Sequence, residues 1–205
     1  MTRKAQTQVE YPTVLLHLRP ALELTCDQLL ALSQLNRDLR MELTAQGDLL
    51  IMPPTFGETG NRNALLNAFL TYWALQDGTG VTFDSSTGFT LPNGAIRSPD
   101  AAWVKRSRLM ALTPEQKQKF LPLCPDFVIE LRSASDSLSS LQDKMQEYMD
   151  NGAQLGWLID PQNRHVYLYH PNRQMERLSN ATSISGDPLL PGFVLDLKKI
   201  WEVNF

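Results

Sequence analysis

Two segments of the chain carry apolar residues at helical spacing and predict two long helices. The first segment runs from about residue 57 to residue 76, and its apolar stripe consists of Leu65, Leu66, Phe69 and Trp73. The second follows the polar residues 133–137, and its stripe consists of Leu138, Leu141, Met145, Tyr148 and Met149. Gly78 and Gly152 stand where these helices should end. A shorter helix is predicted to begin after Thr25, which suits an N-cap position.

Short apolar runs between the helices predict strands. Residues 39–43 and 48–52 flank a turn that contains Gly47, so a hairpin is expected there. Residues 81–83 and 88–91 are interpreted as a second strand pair. Further strands are predicted at 101–104, 127–131, 155–159 and 165–169, with the last two paired, and the tail from 185 to 205 is predicted to be mostly extended.

This order of elements predicts a mixed α/β fold in one domain. Residues 1–24 are predicted to be an N-terminal lead-in, and residues 25–205 a single domain without repeats or an internal linker. The strand, helix and strand between residues 127 and 159 should form a right-handed crossover between parallel neighbours.

Composition excludes several kinds of site. The chain has 205 residues, two cysteines and three histidines, which gives no disulfide framework and no cysteine or histidine metal site. It has no run of about 18 apolar residues and no signal peptide, so we expect no membrane partner and a cytoplasmic location. The net charge of −3 argues mildly against non-specific coating of nucleic acid, but not against an enzyme that meets nucleic acid at an acidic, cation-binding centre.

Two acidic residues stand at the edges of apolar strands. Asp100 opens the run 101–104, and Glu130 closes the run 127–129. A carboxylate there is costly unless it is paired or binds a cation. Two of them suggest a Mg²⁺ or Mn²⁺ site between neighbouring strands, of the kind that supports phosphodiester hydrolysis. Alternatively, Asp100 is a turn residue after Pro99, and Glu130 pairs with a nearby arginine or lysine.

Two residues on the long helices are further candidates. Lys144 lies about 90° to one side of its stripe, where it could stabilise charge on a phosphate or orient a water, or be an ordinary solvated lysine. Glu58 lies within about 40° of its stripe and could line the site, or it could form a capping box with Thr55. The basic run 105–108 could contact phosphates or be a solvated surface.

These residues resemble the signature of the PD-(D/E)XK nuclease superfamily, and the longer phrases resemble its Uma-two family of restriction endonucleases. The matching phrases are residues 57–63 (GETGNRN), 97–104 (RSPDAAWV), 125–130 (PDFVIE), 144–152 (KMQEYMDNG) and 157–161 (WLIDP). The resemblance implies a restriction-endonuclease-like αβββαβ core, a mixed sheet flanked by helices, to which the N-terminal helix and hairpin are added. It also implies that Asp100 and Glu130 are metal ligands and that Glu58 is the supporting acid of the first long helix. Arg132 occupies the usual lysine position, two residues after the second acid, and Lys144 matches the variant in which that lysine moves to the next helix.

The prediction from sequence is therefore a Mg²⁺- or Mn²⁺-dependent endonuclease that acts on DNA, in which Glu58, Asp100, Glu130 and Lys144 form the site. Two alternatives remain open. One is a catalytically silent nuclease fold that serves as a binding or assembly module. The other is a purely structural arrangement in which Arg97 or Arg132 is locked onto the two acids. A homodimer is expected if both strands of a duplex are to be cut.

Overall fold

A six-stranded sheet lies at the centre of the protein, as seen in a computed structural model that describes residues 13–203. Its strands, listed in spatial order, are β11 (Glu176–Ser179), β10 (His165–Tyr169), β9 (Leu155–Asp160), β8 (Phe127–Leu131), β7 (Ala101–Lys105) and β4 (Gly80–Asp84). β8 and β9 are parallel, and all other neighbours are antiparallel. The mixed sheet and its flanking helices confirm the predicted fold class.

Side-chain alternation along the central strands decides what each face packs against. In β7, Ala101 and Trp103 join the cluster of α2 (Gly57–Asp77), whereas Ala102 and Val104 join the cluster of α4 (Leu138–Asp150). In β8, Phe127, Ile129 and Leu131 also belong to the α2 cluster. Because successive side chains point to opposite faces, Glu130 is directed to the α4 face.

A second sheet of five strands carries the N-terminal part of the chain. Its strands, in spatial order, are β1 (Val14–Leu16), β3 (Leu49–Met52), β2 (Arg40–Leu43), β6 (Ile96–Arg97) and β5 (Phe89–Thr90). β2 and β3 form the predicted hairpin, and Gly47 in its turn has φ +89°. β1 lies within the segment predicted as a lead-in, and it pairs with β3. Residues 1–12 of that lead-in lie outside the described residues.

The predicted pairing of residues 81–83 with residues 88–91 is wrong. β4 instead pairs with β7 over five residue pairs in the central sheet, and β5 pairs with β6 in the other sheet. A side chain at Gly80 would collide with the ring of Trp103, so glycine permits the close approach of β4 to β7. A long ladder across the core thus outcompetes the local hairpin that the turn residues suggested.

The helices begin and end largely where their sequence signals stand. Thr25 caps α1 (Cys26–Leu35) in a capping box with Gln28, and Gly78 ends α2 in the left-handed conformation. Ser137 caps α4. The short α3 (Arg106–Met110), the 3₁₀ turn Gln116–Gln118, the two-stranded sheet of β12 (Ser183–Ser185) and β13 (Val194–Asp196), and α5 (Lys198–Trp201) complete the described chain. α5 was not predicted, because its four residues are too few to show a period. Within residues 13–203 no helix is long and apolar enough to cross a membrane.

Candidate active site

Asp100 and Glu130 meet at the same end of two paired strands. β7 and β8 are antiparallel with Ala101 opposite Ile129, and this register brings the residue before Ala101 next to the residue after Ile129. Both side chains are largely buried, with exposed fractions of 13% for Asp100 and 6% for Glu130. They line one cleft together with Lys144. The structure therefore brings three of the four predicted site residues together.

Asp100 is fixed by contacts from three directions. Its Oδ2 accepts a hydrogen bond from the backbone N–H of Leu131 at 2.8 Å, and its Oδ1 accepts one from Asn63 Nδ2 at 3.3 Å. The guanidinium of Arg40 lies 3.6 Å from the same Oδ1. Burial raises the pKa of Asp100 although Arg40 and the Leu131 N–H oppose the shift. This carboxylate is held rigidly and is poorly hydrated.

Glu130 forms an ion pair and accepts a hydrogen bond through one oxygen. Its Oε1 lies 2.8 Å from Lys144 Nζ and 3.0 Å from the hydroxyl of Tyr148. Burial raises the pKa of Glu130 to about 7, and the nearby charges of Asp100 and Glu42 add to the rise while Lys144 opposes it. The neighbouring acids therefore disfavour the negative charge of Glu130. A cation bound beside Glu130 would stabilise that charge.

Lys144 points into the cleft and not to solvent. Its side chain is 11% exposed, and its Nζ lies 2.8 Å from Glu130 Oε1 and 2.8 Å from Glu42 Oε1. Burial would lower the pKa of Lys144, but the two carboxylates raise it, so the amine is charged. The alternative of an ordinary solvated lysine is wrong.

Glu58 is the predicted residue that the structure does not bring to the other three. Its side chain is 67% exposed and pairs with Arg62 one helical turn away, at 3.1 Å. The predicted capping box is not formed either, because Phe56 is the N-cap of α2 and no side chain caps it. α2 reaches the site through Asn63 instead, and through Asn67, whose Nδ2 donates to the backbone oxygen of Asp100 at 2.9 Å.

Arg97 and Arg132, the two arginines considered as partners of these acids, pair with other residues, and Arg40 is the arginine that pairs with Asp100. Arg97 pairs with Glu42 and Glu147, and Arg132 pairs with Asp160 at 2.8 Å. The prediction that Arg97 or Arg132 is locked onto Asp100 or Glu130 is therefore wrong. Arg132 stands in the usual lysine position but ties β8 to the end of β9.

The basic run 105–108 is largely committed to structure. Arg106 donates to the backbone oxygens of Gly78 and Gly80, and Arg108 donates to that of Cys124 and pairs with Asp126. Arg106 and Arg108, two of the three cations in this run, therefore stabilise the end of the central sheet. This favours neither a contact with phosphates nor an ordinary solvated surface for these two residues.

Sequence reasoning missed Glu42, Arg40, Asn63 and the hydroxyl of Tyr148. Glu42 had a usable signal, because it is an acid within a short apolar strand, the same pattern that identified Asp100 and Glu130. It is 1% exposed. Tyr148 was assigned to the apolar stripe of α4, which is correct for its ring, and nothing in the sequence shows that its hydroxyl meets Glu130.

The donor chemistry of the cleft fits a hard divalent cation. Mg²⁺ is commonly bound through one or two carboxylates, with water and substrate phosphate as its remaining ligands. Asp100 and Glu130 supply two such carboxylates at a place where burial has raised the pKa of both. Among residues 13–203, no group of three or more histidine, cysteine, aspartate or glutamate side chains could hold a metal ion, so an ion in this cleft would need water or phosphate as further ligands.

The fold and this acidic cleft define a restriction-endonuclease-like α/β protein. The chain belongs to the Uma2 family, described as "Putative restriction endonuclease", whose family model matches residues 26–198. It is similar to a crystal structure titled as a putative nuclease belonging to DUF820 from Anabaena variabilis ATCC 29413. That similarity has a TM-score of 0.72 at 19% identity and covers 87% of this chain and 97% of the other. No curated protein matches the chain.

Proposed function

We propose that the protein is a metal-dependent endonuclease that hydrolyses phosphodiester bonds of DNA. The observation that carries the proposal is the meeting of Asp100, Glu130 and the Lys144 amine in one cleft of a Uma2 chain. We assign Asp100 and Glu130 as the ligands of Mg²⁺ or Mn²⁺. A bound ion of this kind would supply Lewis acidity toward a phosphate and lower the pKa of a water.

Lys144 supplies a second positive charge from the protein itself. Its amine is charged, buried and held by two carboxylates, so little reorganisation is needed when negative charge develops on a phosphate beside it. Arg40 lies 3.6 Å from Asp100 and also lines the cleft. Together with a bound divalent cation, these two side chains would offset the charge of the carboxylates where a phosphate approaches, although the whole chain carries a net charge of −3.

The direct test uses purified protein with supercoiled plasmid, linear duplex DNA, single-stranded DNA and RNA. We expect cleavage of DNA with Mg²⁺ or Mn²⁺ and none with EDTA. A folded protein that neither cleaves any of these substrates nor binds Mn²⁺ would overturn the proposal. A protein that binds DNA but never cleaves it would favour the alternative of a silent binding module. The cytoplasmic location and the homodimer remain predictions, and light scattering tests the second.

Mn²⁺ affinity should rise with pH between pH 6 and pH 8. The pKa of Glu130 is about 7 without metal, so at pH 6 a proton occupies the carboxylate that the cation needs, and at pH 8 it does not. Displacement of one such proton predicts binding about tenfold tighter at pH 8 than at pH 6. Titration calorimetry at three pH values measures this. The Glu130→Gln variant is the control, since it should bind weakly at every pH. An affinity for the wild type that does not change with pH contradicts the assignment of Glu130.

Glu58→Gln tests the remaining predicted residue. Because Glu58 is mostly exposed and pairs with Arg62, we expect this change to alter Mn²⁺ affinity and cleavage by no more than about twofold, as is usual for exposed ion pairs. Parallel assays of wild type and variant measure both quantities. A loss of tenfold or more would instead show that Glu58 leaves Arg62 and supports the site during the reaction, as the family resemblance implies.

A further inference from the structure

Glu42 is a buried carboxylate that contacts three residues of two different segments, the helix α4 and the end of β6. Its Oε1 accepts hydrogen bonds from Lys144 Nζ at 2.8 Å and from the backbone N–H of Ser98 at 2.9 Å, and its Oε2 accepts one from Arg97 Nη1 at 3.1 Å. The side chain is 2% exposed. Every oxygen of this carboxylate is therefore used, and none of its contacts is with solvent-exposed side chains.

The contact between Glu42 and Ser98 affects the position of Asp100, one of the two proposed metal ligands. Ser98 lies two residues before Asp100, and both polar groups of its backbone are bound by β2, the N–H by Glu42 and the oxygen by Arg40 at 3.2 Å. Since Pro99 is the only residue between Ser98 and Asp100, fixing Ser98 limits where the Asp100 backbone can lie. β2 of the N-terminal sheet thereby positions the backbone that leads from Ser98 to Asp100.

The contact between Glu42 and Lys144 affects the position of the Lys144 amine beside Glu130. A lysine side chain is a flexible stem that ends in a point charge, and it needs partners to keep one position. Lys144 has two, Glu42 and Glu130, at equal distances of 2.8 Å. Glu42 thus offers the amine a partner that is not itself a proposed metal ligand.

We propose that Glu42 is a positioning residue of the endonuclease site, which holds the Lys144 amine beside Glu130 and fixes the Ser98 turn that leads to Asp100. The proposal rests on the proposed function and extends it to a residue outside the catalytic cleft proper. Glu42 remains an anion throughout the useful pH range. Burial alone would raise the pKa of Glu42, but Lys144 and Arg97 lower it to about 2.

A merely structural ion pair is the competing explanation. Buried ion pairs are weak contributors to stability, because desolvation offsets their attraction, so stability alone does not account for a carboxylate at this position. Arg97 also already has Glu147 at 2.6 Å as a partner. The structural explanation predicts that loss of Glu42 and loss of Glu147 have similar effects, whereas the positioning role predicts that they differ.

The experiment compares Glu42→Gln with the matched control Glu147→Gln. Both changes remove an acid from Arg97, but only the first removes a partner of Lys144. We expect Glu42→Gln to lower kcat by roughly 100-fold, the cost of small misplacements of a reacting group, with KM for duplex DNA changed less than about threefold. Glu147→Gln should keep kcat within about threefold. In a Lys144→Met background, Glu42→Gln should lower kcat less than it does in the wild type, because the part of its effect that acts through Lys144 is already lost.

A crystal structure of Glu42→Gln tests the same idea without any activity. We expect the Lys144 Nζ to lie beyond hydrogen-bonding distance of Glu130, more than about 3.5 Å away, or the Ser98 turn to have shifted. If Glu42→Gln does not fold, Glu42→Asp replaces it in both measurements. An unmoved Lys144 and Ser98, or equal kcat losses in the two single variants, overturns the positioning role. Absence of cleavage by the wild type would overturn the proposed function and leave this structural test decisive for Glu42.

Discussion

Asp100→Asn should abolish metal-dependent cleavage while the protein stays folded. Asparagine keeps an oxygen that can accept the Leu131 N–H, so the turn before β7 should persist. It lacks the negative charge that a divalent cation needs. Loss of groups that only support a metal ligand already costs 10–100-fold, so loss of the ligand itself should cost at least about 100-fold in cleavage. Gel assays with supercoiled plasmid measure cleavage, and calorimetry measures Mn²⁺ binding.

Asp126→Asn is the matched control for this prediction. Asp126 is also a buried acid next to a central strand, where it accepts from the backbone N–H of Lys105 and pairs with Arg108 at 3.1 Å. It lies outside the cleft of Asp100, so its loss should lower the melting temperature but leave cleavage and Mn²⁺ affinity near those of the wild type. If both variants lose cleavage equally, the effect is one of stability. If Asp100→Asn still cleaves at the wild-type rate, Asp100 is not a ligand.

The meeting of Asp100, Glu130 and Lys144 in one cleft was predictable because helix and strand periods relate local sequence to position in the fold. Asp100 and Glu130 were found because each interrupts an apolar strand, and the ladder between β7 and β8 places them side by side. Lys144 was found because helical geometry places it beside the apolar stripe of α4. The periods of helices and strands and the cost of burying charge made these residues candidates, and the family resemblance joined them into one predicted site.

The errors arose where the outcome depends on partners that are distant in sequence. β4 and β5 are neighbours along the chain but lie in different sheets, because β7 offers β4 a longer ladder. The role of Glu58 stays a prediction, and the residue of α2 that reaches Asp100 in the structure is Asn63, a contact across 37 residues of sequence. Glu42 and Lys144 are 102 residues apart, and no local pattern indicates their contact.

Arg97→Met should produce the largest loss of stability among the changes considered. The Arg97 side chain is 9% exposed and lies between Glu42, at 3.1 Å, and Glu147, at 2.6 Å. Methionine fills a similar volume but leaves two carboxylates without their shared cation. Removal of one member of a buried ion pair typically costs 3–5 kcal/mol, and we expect a decrease of about that size in the free energy of unfolding at pH 7. Urea denaturation of wild type and variant measures it.

Lys119→Met is a surface counterpart, because Lys119 also lies between two carboxylates, Asp27 at 3.2 Å and Glu115 at 3.5 Å. The side chains of Lys119, Asp27 and Glu115 are all substantially exposed, so water replaces the lost cation, and the variant should unfold at nearly the same urea concentration as the wild type. Similar losses in Arg97→Met and Lys119→Met would show that burial of the Arg97 network does not matter to stability.

The stability difference between wild type and Arg97→Met should also depend on pH, in a direction fixed by Glu42. The pKa of Glu42 is about 2 in the folded wild type, against an ordinary value of 4.5, so its ionised form stabilises the fold above pH 4.5. That contribution disappears as pH falls from 4.5 through 2, where folded and unfolded chains become equally protonated at this group. The deficit of the variant, which lacks the cation that helps to lower this pKa, should therefore be complete at pH 7 and narrow below pH 4.5. A deficit that stays constant down to pH 3 would mean that Arg97 contributes through packing of its side chain and not through its charge.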